Sequence, residues 1–449
     1  MLKKIKSLIK NIISEEILLN YHAVKSNFAS VLYGNPSKKM KVIGITGTKG
    51  KSTAANFVWS VLQQNGIKTG LIGTANIRIG NKELPNTSHM TMPGSMEMQS
   101  LLAKMQKAKC EVVVMEVTSE GIKQHRNENI QYSIGMFTNL SPEHLPAHNN
   151  SFEEYKNTKK KFFTQLKNQN SELIVVNNDN EFSHEFLEEN IQKKVTVSMK
   201  AKEKLKNVNE NIFAEITNIT PDKTFFSVNN SEKYALKIGG DKNVENALLA
   251  VAVGKHFGLS AQQIQVGFDS LSVIPGRMER INEGQDFSVF VDYAHEKLSM
   301  NFILTTARAC VKENNGKVIV LLGAEGGGRD RAKREIMGRQ VGKNPKENGA
   351  DFVIVSNVDP YEDDPTEIAE GIAIFAEEEG KIRNENLFVI EDRRSGIKKA
   401  LELGKENKNN IVFITGKGSE QSIVIGGVSS FWDDRIVVRE EIKKILKKY

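Results

Sequence analysis

A glycine-rich turn followed by a lysine and two hydroxyl residues is the clearest chemical signal in this 449-residue sequence. It follows the apolar run 41–46, precedes the helical spacing of 54–62, and consists of Gly47, Thr48, Lys49, Gly50, Lys51, Ser52 and Thr53. Glycines bring backbone N–H groups close to an anion, and a helix N-terminus adds partial positive charge. Lys51 would neutralise phosphate oxygens, and Ser52 or Thr53 would bind Mg²⁺. The turn therefore predicts a nucleoside triphosphate site, the alternative being a turn that binds nothing.

Two further apolar runs end in side chains that bind cations. Glu116 closes the run 112–116, and a carboxylate at a strand end near phosphates holds Mg²⁺ directly or through water. Its alternative role is a helix cap or a salt bridge. His144 follows the run 134–138, where an imidazole would bind a second cation or touch phosphate, unless it is a histidine of a surface loop. Both residues would extend the phosphate site.

The second half of the chain carries two patterns that suit a nucleotide. Asp292 and His295 flank a tyrosine at the end of an apolar run, and such a turn suits a ribose hydroxyl and a stacked base. The alternative is a plain turn. The glycine-rich residues 323–328 are followed by Arg329 and Lys333. These cations would neutralise charge on a transferring phosphoryl group, an interpretation that depends on the turn at 47–53.

Short apolar runs alternate with helical stretches through most of the chain. The runs lie at 41–46, 69–73, 111–117, 134–138, 173–177, 287–291, 317–322, 351–355, 387–390 and 411–415. Such alternation is typical of mostly parallel sheets with helices on both faces. We therefore predict an α/β protein with a central P-loop ATPase domain and a C-terminal Rossmann-like domain.

Domain boundaries follow from the same alternation and from the Pro275-Gly276 pair. We predict a short N-terminal segment at residues 1–40, a central domain at 41–273 and a C-terminal domain at 274–449. Residues 193–238 differ from their surroundings because they contain only strand-like runs. We expect them to form a small antiparallel insertion.

Composition limits the classes of partner. The net charge of +7 suits anionic ligands such as nucleotides, without the interleaved basic and aromatic residues that grip single-stranded nucleic acid. No apolar run approaches the length of a membrane span, and two cysteines without metal spacing indicate a reducing cytosol. The basic, amphipathic residues 1–13 would pack on the protein itself or lie on a membrane surface. We expect a cytoplasmic monomer that binds small molecules and no nucleic acid.

In their order along the chain, these pieces resemble the Mur ligase family, and most closely its UDP-N-acetylmuramoyl-tripeptide synthetases. Those enzymes add the third amino acid of the peptidoglycan stem. The matching stretches are GTKGKST at 47–53, TMPGSMEMQ at 91–99, MEVTSEGI at 115–122, FTNLSPEHL at 137–145, NVENALLAVAVG at 243–254, PGRMERI at 275–281, VDYAH at 291–295, GGGRDRAKR at 326–334 and GKGSE at 416–420. Several independent motifs in the family's order make the resemblance specific.

The resemblance implies roles for individual residues. Lys51 and Ser52 would bind ATP phosphates and Mg²⁺, and Glu116 would be a ligand of the first of two Mg²⁺ ions. His144 and a carbamylated Lys159 would bind the second ion, although Lys159 taken alone would lie on a solvated helix face. Implied nucleotide contacts are the turn at 47–53, Asn246, Arg277, Asp292, His295, Arg329 and Lys333. Implied contacts to the other substrates are Thr91, Ser119, Arg126, Asp359, Tyr361, Gly416 and Glu420.

The implied reaction is ATP-dependent amide bond formation on a UDP-N-acetylmuramoyl-dipeptide, a step of peptidoglycan synthesis and hence of cell wall biogenesis. A carboxylate does not react with an amine at neutral pH because its oxygen is a poor leaving group. Transfer of the γ-phosphoryl group gives an acyl phosphate, which the amine then attacks. Holding two anions in contact explains the two Mg²⁺ ions and the clamp of lysine and arginine.

The sequence departs from the family pattern in three respects, which are its N-terminal segment, residues 358–361 and single positions in three loops. The N-terminal domain that holds UDP is reduced to about 40 residues, which leaves the carrier on the acceptor open. Residues 358–361, Val-Asp-Pro-Tyr, stand where diaminopimelate-adding members have Asp-Asn-Pro-Arg. A phenol cannot replace a bidentate guanidinium, so lysine, ornithine or a small amino acid is at least as well supported. Finally, Pro142-Glu143 replaces Arg-Asp, Gly328 replaces Asp, and Ser419 replaces His.

Two alternatives remain open from the sequence. A relative that acts on another carboxylate, such as folylpolyglutamate synthase or an enzyme with a lipid-linked muramyl acceptor, would fit the short N-terminal segment. The stretches at 91–99 and 115–122 argue against the folate branch. A nucleotide-binding protein without catalysis is the other alternative. The residues that argue against it are Lys51, Glu116, His144, Lys159, Arg329 and Lys333.

Overall fold

A computed structural model describes residues 15–84, 86, 90–142, 145–219, 223–238, 240–311, 315–328 and 331–446. The chain divides into two compact units, Met1–Ser272 and Val273–Tyr449. Two site residues expected from the sequence, His144 and Arg329, lie outside the described residues. The predicted α/β fold class is confirmed, since each unit contains a mostly parallel sheet with helices.

The first unit is built on one large sheet. Its strands are β1 Lys41–Thr46, β2 Thr69–Ile72, β3 Ile77–Ile79, β4 Lys82–Leu84, β5 Val112–Glu116, β6 Ile134–Phe137, β7 Leu173–Asn177, β8 Lys193–Ser198, β9 Glu210–Ile219, β10 Thr224–Val228 and β11 Glu232–Leu236. Their order across the sheet is β11-β10-β9-β8-β7-β6-β1-β5-β2-β3-β4. The strands from β8 to β2 in this order are parallel, as the alternating sequence pattern predicts.

Helices separate the strands of the first unit. They are α1 Glu15–Leu32, α2 Lys51–Gln64, α3 Ser95–Lys107, α4 Ser119–Lys123, α5 Phe152–Asn168, α6 Ser183–Phe186, α7 Asp241–His256 and α8 Ala261–Ser270. Short 3₁₀ turns lie at Pro36–Lys39 and Leu145–His148. Helix α2 packs against both α7 and α8, which brings the C-terminal part of the unit to the turn at 47–50.

The strands that precede the predicted site residues lie side by side at the centre of the sheet. β1 pairs in parallel with β5 on one side and with β6 on the other. All residues of β5 and β6 are buried, as expected for strands covered on both faces. Because parallel strands end at the same edge, the residues that follow β1, β5 and β6 come together there.

The expected antiparallel insertion at 193–238 is only half right. β8 pairs in parallel with β7 and with β9, so it extends the main sheet instead of starting a separate one. Only β9, β10 and β11 pair antiparallel. A threonine and a serine interrupt the apolar pattern of β8, although its last four residues are buried like those of a central strand.

The second unit has its own sheet, ordered β12-β13-β17-β14-β15-β16, and a separate β18–β19 hairpin. Its strands are β12 Glu279–Ile281, β13 Ser288–Asp292, β14 Val318–Leu322, β15 Phe352–Val355, β16 Leu387–Val389, β17 Ile411–Thr415, β18 Ser422–Ile425 and β19 Val428–Phe431. Its helices are α9 Lys297–Val311, α10 Arg331–Gly342, α11 Pro365–Glu378, α12 Arg393–Lys405 and α13 Asp434–Leu446, with a 3₁₀ turn at Pro345–Glu347. Among the described residues of both units, no helix is long and apolar enough to cross a membrane.

Candidate active site

The turn at 47–50 is braced by the segment that follows β6. The backbone N–H of Lys49 donates to Oδ1 of Asn139 at 2.9 Å, and Nδ2 of Asn139 donates to the carbonyl oxygen of Lys49 at 3.2 Å. The hydroxyl of Thr138 donates to the same carbonyl oxygen at 2.6 Å. These bonds fix the turn between strand β1 and helix α2, so its shape is set before any ligand arrives.

Two glycines of this turn are required by their surroundings. Gly47 and Gly50 have φ angles of 147° and 81°, which L side chains rarely adopt. A Cβ atom on Gly47 would collide with the hydroxyl of Thr138, and one on Gly50 would collide with the side-chain amide of Asn246. The structure therefore places Asn246, a predicted nucleotide contact, directly against the turn.

Lys51 lies at the first position of helix α2 and folds back over the turn. Its Nζ donates to the carbonyl oxygens of Gly47 and Thr48, each at 2.9 Å. The ammonium group is thus held against the turn, at the N-terminus of the helix. This combination of a fixed cation and a helix N-terminus suits a phosphate group.

A cluster of oxygen atoms lies beside the turn, at the end of β5. The hydroxyl of Ser52 donates to Oε1 of Glu116 at 2.8 Å, and the backbone N–H of Thr74 donates to the same oxygen at 2.8 Å. Glu116 is only 1% exposed. A hydroxyl and a carboxylate are hard oxygen ligands of the kind that Mg²⁺ prefers, so Ser52 and Glu116 fit a Mg²⁺ ion that also contacts phosphate.

Thr74 and Thr91 extend the oxygen cluster. The Thr74 hydroxyl donates to Oγ1 of Thr91 at 2.8 Å and lies 3.3 Å from Oε2 of Glu116. A Cβ atom on Gly73 would collide with Oε1 of Glu116, so this loop approaches the carboxylate as closely as its backbone allows. Thr91, a predicted substrate residue, is therefore connected to the predicted metal ligand through one hydroxyl group.

Lys159 reaches the turn from helix α5 and is 1% exposed. Its Nζ donates to the carbonyl oxygen of Gly47 at 2.9 Å and lies 4.8 Å from the centre of the Tyr155 ring. The hydroxyl of Tyr155 in turn lies 3.0 Å from Oγ1 of Thr48. The solvated helix face that the lysine-rich sequence suggests is thus wrong for Lys159, because the burial of Tyr155 on the same face turns this lysine inward.

Ser119 begins helix α4, and Arg126 lies three residues beyond its last residue, Lys123. Ser119 is buried, and its Oγ is 3.0 Å from Nε2 of His148. The guanidinium of Arg126 donates to the carbonyl oxygen of Met92 at 2.6 Å, and burial lowers the pKa of Arg126. Arg126 therefore anchors the loop that carries the predicted substrate residue Thr91.

Two predicted nucleotide contacts of the second unit, Arg277 and His295, pack against the ring of Tyr293. The Arg277 guanidinium lies 4.6 Å from the centre of the Tyr293 ring, and the His295 ring packs edge-on against it at 4.6 Å. Both carboxylate oxygens of Asp292 accept backbone N–H groups, from Met278 at 2.6 Å and Ala294 at 2.7 Å. Asp292 thus fixes the backbone next to Arg277 and next to Tyr293.

Lys417 is the centre of a buried charge cluster in the second unit. Its Nζ is 2.7 Å from Oδ2 of Asp359 and 2.9 Å from Oε2 of Glu420. Burial alone would lower the pKa of Lys417, but the two carboxylates outweigh it and raise that pKa. Two predicted substrate residues, Asp359 and Glu420, are therefore joined by one lysine.

The same cluster affects Tyr293. Burial and the charges of Glu420 and Glu325 raise the pKa of Tyr293 well above its usual value.

The remaining predicted residues of this unit lie on loops and a helix start. Gly416 has a φ of 106° directly before Lys417. Tyr361 has the left-handed φ of 55°, and its ring faces Gly327 of the glycine-rich loop. Lys333 lies in the first turn of α10 and is half-buried.

Sequence reasoning missed several residues that complete the site. Thr74, Thr138, Asn139, His148 and Lys417 were not singled out, although each contacts a residue that was. Thr138 ends the predicted run 134–138 and Asn139 follows it directly, which is a usable signal. Thr74 and His148 had none, because their contacts span 42 and 29 positions of the chain.

Comparisons with known proteins show which family the chain belongs to. Residues 45–254 match the Mur ligase middle domain, and residues 276–418 match the Mur ligase glutamate ligase domain. A UDP-N-acetylmuramoyl-L-alanyl-D-glutamate–2,6-diaminopimelate ligase of Clostridium botulinum is 35% identical over 419 residues, 93% of this chain and 81% of that protein. A UDP-N-acetylmuramyl-tripeptide synthetase of Treponema denticola is 34% identical, covering 92% of this chain and 78% of that protein. A solved UDP-N-acetylmuramoyl-L-alanyl-D-glutamate–2,6-diaminopimelate ligase has a TM-score of 0.58 at 25% identity, covering 91% and 79% of the two chains. The chain therefore belongs to the Mur ligase family of ATP-dependent acid–amino-acid ligases.

Proposed function

We propose that the protein joins an amino acid to the carboxylate of a UDP-N-acetylmuramoyl-dipeptide-type acceptor during peptidoglycan precursor synthesis. The observation that carries this proposal is the Ser52–Glu116 contact beside a pre-shaped phosphate-binding turn, in a chain related over most of its length to ligases of that class. The substrates favour the cytoplasm as its location, and we propose that it acts there as a monomer. We also propose that its two domains span residues 41–273 and 274–449.

The reaction proceeds through an acyl phosphate. An oxygen of the acceptor carboxylate attacks the γ-phosphorus of ATP, the bond to the β–γ bridging oxygen breaks, and ADP leaves. The amine of the amino acid then attacks the acyl carbon, the bond from carbon to the phosphate oxygen breaks, and the amine loses its proton. Lys51 and the N–H groups of the turn stabilise the charge on the phosphates throughout.

Two Mg²⁺ ions would supply the charge neutralisation that brings ATP and a carboxylate together. Ser52 and Glu116 would hold the first ion, and the bond between them supports this assignment. His144 and a carbamylated Lys159 would hold the second. Carbamylation turns the Lys159 ammonium into a carbamate, whose nitrogen keeps one N–H for the carbonyl oxygen of Gly47. Because Lys159 is buried, the negative charge of the carbamate would need a bound Mg²⁺ to compensate it.

The remaining assignments divide between nucleotide and substrates. For the nucleotide they are Gly47, Thr48, Lys49, Gly50, Thr53, Asn246, Arg277, Asp292, His295, Arg329 and Lys333. The contact of Asn246 with Gly50 supports the nucleotide assignments in the first unit. The contacts of the Tyr293 ring with Arg277 and His295 support those in the second unit. For the acceptor we propose Thr91, Ser119 and Arg126.

The amino acid would be held by Asp359, Tyr361, Gly416 and Glu420. Tyr361 offers a phenol where an arginine would bind a distal carboxylate. Glu362, Asp363 and Asp364 follow it directly, so this part of the chain is acidic. We therefore favour a basic or small amino acid over diaminopimelate.

An isotope experiment tests the reaction type. The acceptor carboxylate is labelled with ¹⁸O, and the released phosphate is examined by mass spectrometry. The proposal predicts one ¹⁸O atom per phosphate, because the carboxylate oxygen leaves with phosphorus. Unlabelled phosphate released together with amide product would contradict the acyl phosphate. Turnover with a lipid-linked or folate-type acceptor alone would favour the second candidate function, a ligase for another carboxylate.

A further inference from the structure

His148 is a buried histidine outside the set of residues assigned above. It ends the 3₁₀ turn Leu145–His148 and is fully buried. Its Nε2 lies 3.0 Å from the hydroxyl of Ser119, and its ring packs against Tyr155 with centroids 5.2 Å apart. The histidine therefore lies between a proposed acceptor contact and the helix that carries Lys159.

The contacts of the ring with Thr158 and Ser119 favour one tautomer of His148. The hydroxyl of Thr158 donates to the carbonyl oxygen of Glu154 at 2.8 Å, and the same oxygen of Thr158 lies 3.5 Å from Nδ1 of His148. A hydroxyl has one proton, so Thr158 accepts from Nδ1–H. Nε2 is then the acceptor, and the Ser119 hydroxyl donates to it.

The surroundings keep the His148 ring neutral and in place. Burial, followed by the positive charge of Lys123, lowers the pKa of His148, so that the ring keeps one donor and one acceptor at neutral pH. Lys123 also donates to the carbonyl oxygen of Ala147 at 3.1 Å. Helix α4 is therefore tied to the 3₁₀ turn at both of its ends, through Ser119 and through Lys123.

We propose that His148 is a positioning residue that orients the Ser119 hydroxyl for the muramyl-peptide acceptor. The proposal rests on the proposed function, because it takes Ser119 as an acceptor contact. With its proton directed at Nε2, the Ser119 oxygen presents its lone pairs in one direction. Without His148 the hydroxyl rotates, and binding the acceptor then requires ordering it again.

The test compares four variants in steady-state kinetics with UDP-N-acetylmuramoyl-dipeptide as the varied substrate. H148F keeps a ring against Tyr155 but removes the acceptor, and H148Q restores an acceptor of similar reach. S119A removes the hydroxyl, and S119A/H148F closes a double-mutant cycle. H184F is the matched control, because His184 is an exposed histidine of the same unit. Thermal unfolding and KM for ATP are measured on each variant.

The proposal predicts that H148F raises KM for the acceptor about tenfold, the loss of one hydrogen bond, with KM for ATP unchanged. H148Q recovers most of that loss, and H148F has no further effect in the S119A background. An unchanged KM for the acceptor in H148F, with a raised KM in S119A, would overturn the inference while leaving the proposed function standing. A normal KM in S119A would overturn the inference as well, because Ser119 would then not contact the acceptor, whereas an inactive wild-type protein would contradict the proposed function itself.

Discussion

The hydroxyl of Ser52 lies 2.8 Å from a carboxylate oxygen of Glu116, although the two residues are 64 positions apart in the chain. β1 and β5 are adjacent parallel strands, so the helix that follows the first meets the end of the second. A buried carboxylate is costly unless it is well bonded or bound to a cation. This pair is therefore where we propose that Mg²⁺ binds beside the phosphate site.

Replacing Glu116 by glutamine should lower kcat on the order of 10²-fold or more, because the amide removes the negative charge that holds Mg²⁺. Mg²⁺ titration of activity checks this, and the half-saturating concentration should rise. The control is E120Q, since Glu120 is an exposed carboxylate on the next helix. Equal Mg²⁺ requirements for E116Q and the wild type would rule out the metal assignment.

Gly50→Ala should destabilise the first unit by about 1–3 kcal/mol, because it adds strain at a left-handed φ and a clash with Asn246. Gly66→Ala is a matched control, since Gly66 has a φ of 85° with open space around it and therefore reports strain alone. Urea unfolding measures both. We expect G50A to lose more stability than G66A, and the double variant G50A/N246A to recover part of the stability that G50A loses. Equal losses would show that Asn246 does not constrain the turn.

Much of this fold was accessible from the sequence because its strands are fully buried. The runs predicted at 41–46, 134–138 and 411–415 coincide with β1, β6 and β17 to within one residue, since strands covered on both faces read as continuous apolar runs. The sequence predicts an antiparallel insertion that includes β8, but this strand pairs in parallel with both neighbours. Contacts such as Thr74 with Glu116 depend on which strands are neighbours, and no local pattern encodes that.

Lys159→Ala should abolish most activity, and short carboxylic acids should restore part of it if a carbamate is the functional group. Lys160→Ala is the control, because Lys160 pairs with Glu185 and Glu188 on the outside of the helix. Mass spectrometry of the intact wild-type protein in bicarbonate gives a second readout. Undiminished activity of K159A would reject the assignment, whereas loss without rescue would reject carbamylation.

Lys417→Met should destabilise the protein by about 3–5 kcal/mol, because it leaves two buried carboxylates without their cation. The carboxylates of Glu420 and Asp359 raise the pKa of Lys417 above its usual 10.5. A raised folded-state pKa means that this stability is fully present below pH 10.5 and is lost as pH rises through the folded value. Denaturant unfolding of K417M, with the exposed K398M as control, should show the deficit at both pH 7 and pH 9. A deficit that disappears by pH 9 would contradict the raised pKa.

Tyr361→Arg should increase the use of diaminopimelate by tenfold or more relative to lysine, since a bidentate contact to a carboxylate is worth about 1.5–3 kcal/mol. The ratio of kcat/KM values for the two amino acids measures the change. Y361F is the control, because it removes the phenol without adding a charge. An unchanged ratio in Y361R would show that this position does not face the distal group of the amino acid.

Product analysis with purified protein, ATP, Mg²⁺ and UDP-N-acetylmuramoyl-dipeptide is the decisive test of the proposed ligase activity. Single amino acids are supplied in turn, phosphate release is followed, and products are weighed by mass spectrometry. We expect a product heavier than the acceptor by one amino acid residue, with one phosphate released per product and a basic or small amino acid preferred. Phosphate release without a heavier product, or no turnover with any amino acid, would contradict it.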